Sequence, residues 1–330
     1  MGAMQATGRS GSVIGIDIGG TKINAAIMIP GESSPEKALN GWLTSPTPKD
    51  ADTFLNTLVN MVLALQEKES IAAVGISTAG VVDPMNGEVL GSTGNVPALQ
   101  KLRPLQQLLE KEVRLPVHIE NDANAAAYGE YIMGAAKTTR NMFAVTLGTG
   151  VGMGLICEGR LYRGAHFFAG EGGHIAISHT HQRKCTCGRW DCWEAFASGT
   201  GLNTTAELAL ESASESVRQE FLQAYSADGQ ALTYAVVAAC KDKNRLGQSI
   251  MDDWHHHVSV GVSSLINVLD PDAVVIGGGL APFVNFDLLT ERVRERSMSN
   301  NFQLLPAILG NHAGLVGAGY LALESLRIPV

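Results

Sequence analysis

A strand–glycine turn–strand unit occurs twice in this chain, and the duplication narrows the folds open to it more than any other feature. Val13 to Ile29 reads VIGIDIGGTKINAAIMI, two β-rich runs around Gly19-Gly20-Thr21. Met142 to Cys157 reads MFAVTLGTGVGMGLIC, two apolar runs around Gly148-Thr149-Gly150. Each reads as a hairpin closed by a glycine turn. Two halves of related architecture follow, and a chain of 330 residues is long enough for two cores.

Between and after these units, strands alternate with helices. Phe54, Leu58, Met61, Val62 and Leu65 recur at helical spacing within 50–68. Shorter helices are expected over 102–111 and 123–133, and others over 202–210, 214–225, 231–241, 246–267, 288–296 and 315–325. Buried strands are expected over 71–77, 117–120, 273–276 and 304–309. That alternation defines an α/β fold.

The formal charge of −8 argues against nucleic acid or an anionic membrane as the main partner, because both reward a basic surface. No apolar run reaches the ~18 residues a spanning helix needs, and the N-terminus lacks the apolar core of a signal peptide. Only about twelve polar residues precede the first strand, too few for a helix-turn-helix. Five cysteines, an odd number and clustered, favour metal binding in a reducing compartment over a disulfide framework, so a cytoplasmic location is expected.

The cluster lies in AGEGGHIAISHTHQRKCTCGRWDCWE, from Ala169 to Glu194. Cys185, Cys187 and Cys192 follow His174, His179 and His181, with Glu171 and Glu194 on either side. Thiolates and an imidazole at this spacing suit tetrahedral zinc. Three reduced thiols in a loop is the plainer alternative, and the spacing leaves open which histidine would complete the set. His255-His256-His257 is a weaker metal tract. Adjacent residues on a helix point about 100° apart, so a solvated face is the expectation there. Cys157 and Cys240 read as core thiols.

Gly19-Gly20-Thr21-Lys22, Gly148-Thr149-Gly150 and Gly277-Gly278-Gly279 each offer backbone N–H groups unobstructed by Cβ, as a phosphate cradle requires. A tight hairpin needs glycine as well, so each turn alone is weak. Neither hairpin turn has the Lys-Ser/Thr pair that opens a helix in the Walker pattern. A dinucleotide fingerprint would need helix, not strand, after Gly20. A nucleoside triphosphate held by the hairpins is the better reading. Asp17, just before the first turn, could hold Mg²⁺ or simply accept bonds from the turn. Asp122 could cap the helix that follows it or act as general base toward a hydroxyl nucleophile, as phosphoryl transfer requires. Glu120 and Asn124 could orient Asp122 or cap.

With these residues assembled, the chain resembles the ROK family of sugar kinases and sugar-responsive repressors from about Val13 to the C-terminus. Asp17-Ile18-Gly19-Gly20-Thr21-Lys22 and Leu147 to Gly154 resemble its two phosphate loops, and Glu120-Asn121-Asp122-Ala123-Asn124 resembles its catalytic segment. Glu171-Gly172-Gly173-His174 with Cys185-Thr186-Cys187-Gly188 and Cys192-Trp193-Glu194 resembles its zinc and sugar block. The resemblance implies two actin-like, hexokinase-like (ribonuclease H-like) α/β domains with a cleft between them, residues 12–121 plus 313–330 forming one and 122–312 the other. It assigns zinc to His174, Cys185, Cys187 and Cys192, and makes Asp122 the base. Glu171, His174 and Glu194 would face the sugar, with Asn95, Asn121 and Asp122 opposite.

ATP and Mg²⁺ would take Asp17 and the three glycine turns. The activity implied is phosphorylation of the 6-hydroxyl of an aldohexose, glucose first, by a homodimer. An N-acetylglucosamine or N-acetylmannosamine kinase is the alternative, and a non-catalytic sugar-responsive regulator a distant one. Two departures stand out: Asp191 occupies a position where the family usually has Gly, and the loop from His174 to Cys185 is slightly long.

Overall fold

The computed structural model describes residues 11–32, 34–91, 94, 96–224 and 244–326. They group into two compact units. The first comprises the chain up to Thr138, Arg160–Phe168 and the chain from Ile308; the second comprises Thr139–Gly159 and Ala169–Ala307. The helix that starts at Asp122 therefore groups by contact with the first unit, as does Arg160–Phe168, whereas the sequence reading places both with the second domain. The expected helix over 231–241, Cys240 and Asn95 lie outside the described residues.

In the first unit, β1 (Ser12–Ile18), β2 (Lys22–Met28), β3 (Leu39–Pro46), β4 (Ile71–Thr78) and β5 (Val117–Asn121) form one sheet in the order β3-β2-β1-β4-β5. The β1–β2 hairpin is antiparallel, and β4 and β5 run parallel to β1. Near-continuous apolar runs in β1 and β4 fit strands covered on both faces. The Ala51–Gln66 helix buries the five residues its spacing marks out, Phe54, Leu58, Met61, Val62 and Leu65, and Asp50 caps it by accepting from the Thr53 N–H at 2.8 Å. The expected helix at 102–111 starts later, at Leu105, and runs to Val113, because Pro104 disfavours the helical backbone for Arg103 before it; a separate 3₁₀ turn, Pro97–Lys101, precedes it.

The Ala313–Ser325 helix is packed against the Asp122–Ile132 helix at backbone distance. A Cβ on Gly317 would lie 1.7 Å from the Ala125 carbonyl oxygen, a distance only glycine tolerates. Gly317→Ala is therefore expected to destabilise the protein by roughly 1–3 kcal/mol or more, the scale of overpacking in a close-packed interior. Urea denaturation checks this, and an unchanged midpoint would contradict the close approach.

The second unit repeats the strand plan. β6 (Met142–Leu147) and β7 (Val151–Cys157) form an antiparallel hairpin, and β8 (Ala273–Gly277) and β9 (Gln303–Pro306) run parallel beside β6, in the order β7-β6-β8-β9. β9 ends at Pro306, short of the expected Leu309. The Arg245–Leu269 helix buries Trp254, Val258 and Val262 against this sheet's core. The histidine tract on it is not a solvated face. His255 is buried, and its Nε2 accepts from the Asn285 N–H at 2.8 Å while Nδ1 lies 2.6 Å from the Met251 carbonyl. His256 is exposed and His257 half-buried, and burial pushes the His257 pKa down to about 4.

Candidate active site

In an α/β sheet, ligands collect beyond the carboxyl ends of the parallel strands. In the first unit those ends carry Asp17 (β1), Ser77 and Thr78 (β4), and Asn121 followed by Asp122 (β5). Asp17 and Ser77 are register partners, as are Thr78 and Asn121. The Ser77 hydroxyl donates to Asp17 Oδ1 at 2.8 Å. The glycine turn after β1 is tight: Gly19 N–H donates to the Lys22 carbonyl at 3.0 Å, which leaves Gly20, Thr21 and Lys22 exposed. Thr47 braces it, with its hydroxyl on the Gly19 carbonyl at 2.7 Å.

Asn121, not Asp122, caps the helix: its Oδ1 accepts from the Asn124 N–H at 3.0 Å. Asp122 is the first helical residue, and its Oδ1 accepts from the Ala123 N–H at 2.9 Å and from Asn121 Nδ2 at 3.1 Å. Asn121 Nδ2 also donates to the Gly80 carbonyl at 2.9 Å, so both amide protons are committed and a lone pair on Oδ1 is what a ligand could still use. Behind this segment, buried Glu120 accepts from the Asn121 N–H, Asn124 Nδ2 and Arg163 Nε at 2.9, 3.0 and 2.7 Å. Glu120 and Asn124 thus hold the segment from below.

The two carboxylates are electrostatically poised. Desolvation raises the Asp122 pKa against the bonds from the Ala123 amide and Asn121, although the residue is exposed. Burial raises Asp17 to about 6, with the Ser77 bond opposing and the Asp122 charge adding. A folded-state pKa above the unfolded value means that the protonated form is favoured by folding, so Asp17 costs stability progressively as pH rises from about 4 to about 6, and the cost is then constant above that. Asp17→Asn should therefore stabilise the protein by on the order of 1–3 kcal/mol at pH 7.5. The gain should shrink as pH falls to 4; thermal unfolding across that range tests the sign. Ser77→Ala removes the bond that favours the carboxylate. It should move the acid limb of kcat/KM to higher pH, and an unmoved limb would uncouple Asp17 from activity.

In the second unit the Gly148–Gly150 turn follows β6, and Gly277–Gly279 follows β8 beside it. Gly278 has φ +87° and sits so close to Leu147 that a Cβ would lie 2.4 Å from its carbonyl oxygen. Two glycine turns thus meet at one strand-end edge, where their backbone N–H groups could face an anion.

The cysteine loop places His174, Cys185, Cys187 and Cys192 together, with their ligand atoms all within 4.8 Å of one another. Among the described residues His179 and His181 are not in the group, and His181 stacks on Trp190 instead. Cys187 Sγ and Cys192 Sγ are 3.7 Å apart, as are Cys185 Sγ and His174 Nδ1. Zinc–sulfur bonds of about 2.3 Å in a tetrahedron give edges near 3.7 Å, so the donor set fits zinc in number, chemistry and spacing. His174 Nε2 faces Glu171 Oε2 at 3.7 Å. The loop's end is anchored by buried Trp193, whose indole N–H donates to the His257 carbonyl at 2.9 Å.

Asp191 resolves the first sequence departure. It adopts φ 58°, the left-handed backbone that glycine usually supplies. Its buried carboxylate accepts from the N–H groups of His181, Gln182 and Arg183 at 2.8, 2.9 and 2.9 Å. Burial opposes its ionisation, and those donors outweigh it and hold the carboxyl below the usual range. These bonds tie the 181–183 stretch of the loop to Asp191.

Each unit is an α/β sheet of the same strand plan, with carboxylates or glycine turns at its strand ends. Residues 13–325 match the ROK family, and the chain belongs to that family. A glucokinase of Streptomyces coelicolor is 35% identical over 329 residues, covering 95% of this chain and 98% of that protein. A ROK hexokinase structure from Thermus thermophilus superimposes with a TM-score of 0.81 at 28% identity, covering 96% of this chain and 99% of that one. A ROK family glucokinase structure from Streptomyces griseus, in complex with glucose and AMPPNP, gives 0.75 at 31% identity and covers 95% and 100%. The two units are accordingly domains of the actin-like, hexokinase-like kind. Among the described residues, no helix is long and apolar enough to cross a membrane.

Ser77, Thr47 and Arg163 hold candidate site residues in place, and sequence reasoning missed them. Each reaches its partner through strand register or a long loop, and no local pattern marks it.

Proposed function

We propose that this ATP-dependent sugar kinase phosphorylates the 6-hydroxyl of an aldohexose, glucose before others. The observation that carries the reading is Asp122 at the carboxyl end of β5, accessible, held by the Ala123 amide and Asn121, and raised in pKa by desolvation. Its free carboxylate oxygen takes the proton of the attacking hydroxyl as the oxygen approaches the γ-phosphorus. Amides of the Gly19–Lys22 and Gly148–Gly150 turns bind the phosphates, Gly277–Gly279 lies toward the nucleoside, and water is kept from the phosphoryl group.

Mg²⁺, which neutralises phosphate charge when bound, would be held by Asp17. Zinc would be held by His174, Cys185, Cys187 and Cys192, fixing the His174 ring for a sugar hydroxyl. Glu171, Glu194, Asn95 and Asn121 complete the sugar set. The working form is a cytoplasmic homodimer. The 35% identity to a glucokinase supports glucose.

ADP release from Mg·ATP against glucose, mannose, fructose, N-acetylglucosamine and N-acetylmannosamine tests the reading. Glucose is expected to lead. An N-acetylhexosamine turning over faster would reassign the substrate, and no turnover with any sugar would remove the kinase reading.

A further inference from the structure

Both oxygens of Glu194 are engaged inside the second unit, by two different parts of it. Oε2 accepts from the Val151 N–H at 3.0 Å, directly after the Gly148–Gly150 turn. Oε1 accepts from the Thr186 hydroxyl at 2.9 Å, and Cys185 Sγ lies 3.4 Å away. Thr186 sits between Cys185 and Cys187, and Glu194 is two residues past Cys192, so its backbone and its Oε1 both belong to the metal loop. The carboxylate lies close against the turn: a Cβ on Gly150 would lie 2.4 Å from Oε2, so a side chain there would push Glu194 away from Val151. On the other side, Gly199 N–H donates to the Gly148 carbonyl at 2.7 Å and Thr200 Oγ1 to the Thr149 carbonyl at 3.1 Å. The carbonyls of the turn are thereby fixed, and Glu194 fixes the amide that leaves it.

We propose that Glu194 is a positioning strut through which the metal loop sets the geometry of the Gly148–Gly150 turn and hence its affinity for nucleotide phosphate. The inference rests on the reading of that turn as a phosphate site. Each carboxylate oxygen carries two lone pairs, so the strut leaves Glu194 free to accept a sugar hydroxyl as well. When a metal binds, the Cys185 proton leaves, and the Thr186 hydroxyl is the bond that keeps Oε1 in place. Loss of the metal frees the backbone that carries both Thr186 and Glu194, and the turn loses one of its two supports.

The test uses full-length metal-loaded protein, its Thr186→Val variant and chelator-treated protein. Deuterium exchange over the Gly148–Val151 amides is measured without ligand, and ADP affinity by calorimetry. Thr186→Val should keep its metal, speed exchange over that segment and weaken ADP about threefold to tenfold, the scale of one hydrogen bond. Chelation should produce the same changes, larger. Unchanged exchange in both would overturn the strut. If exchange responds while ADP neither protects the segment nor loses affinity, the phosphate reading fails and the coupling to nucleotide with it.

Discussion

Replacing Asp122 by Asn is expected to lower kcat at least a hundredfold while sugar affinity changes little. Asn keeps the size of the side chain and can still accept from the Ala123 N–H, so the helix start and its Asn121 cap survive. What it removes is the capacity to take a proton, and general-base assistance is worth roughly 10²–10⁴ in rate. Desolvation already raises the Asp122 pKa, which moves the base closer in proton affinity to its task. Steady-state rates with glucose, alongside glucose binding by calorimetry, check the split. A loss under tenfold would take the base role from Asp122, and a matching loss of affinity would make the residue a binding group instead.

The second large effect is expected at the metal loop. Of the proposed ligands Cys187 is exposed, while Cys185 and Cys192 are buried. Cys187→Ala should thus remove the metal with the least damage to packing. Bound zinc should fall from about one per chain to near zero, since structural sites close on four ligands. The hydrophobic core, in which buried Trp193 and Trp254 donate to the His257 and Ala197 carbonyls, should stay folded. The sugar KM should rise about tenfold to a hundredfold, the usual penalty when ligand orientation is lost. Elemental analysis, circular dichroism and kinetics together give the answer. Zinc retained at full occupancy would exclude Cys187 as a ligand, and zinc lost with KM unchanged would separate the metal from sugar recognition.

Local chemistry was enough for much of this protein. The duplicated hairpins, the helical spacing from Phe54 to Leu65 and the cysteine spacing could be read directly, because each depends on residues within one or two turns of the chain. Asp17, Asp122 and the glycine turns could be picked out as candidates for the same reason: strand ends and tight turns restrict which residues can occupy them. Tertiary structure decided what those residues do to one another. Ser77 meets Asp17 through parallel register, Arg163 reaches Glu120 from a distant loop, and Glu194 links the metal loop to a turn more than forty positions earlier in the chain. It also chose His174 over His179 and His181, gave the cap to Asn121 rather than Asp122, and buried His255 where a solvated face was expected. Distance along a sequence does not encode which face a strand presents or what packs against a helix, so these pairings were set by the close packing of the two cores.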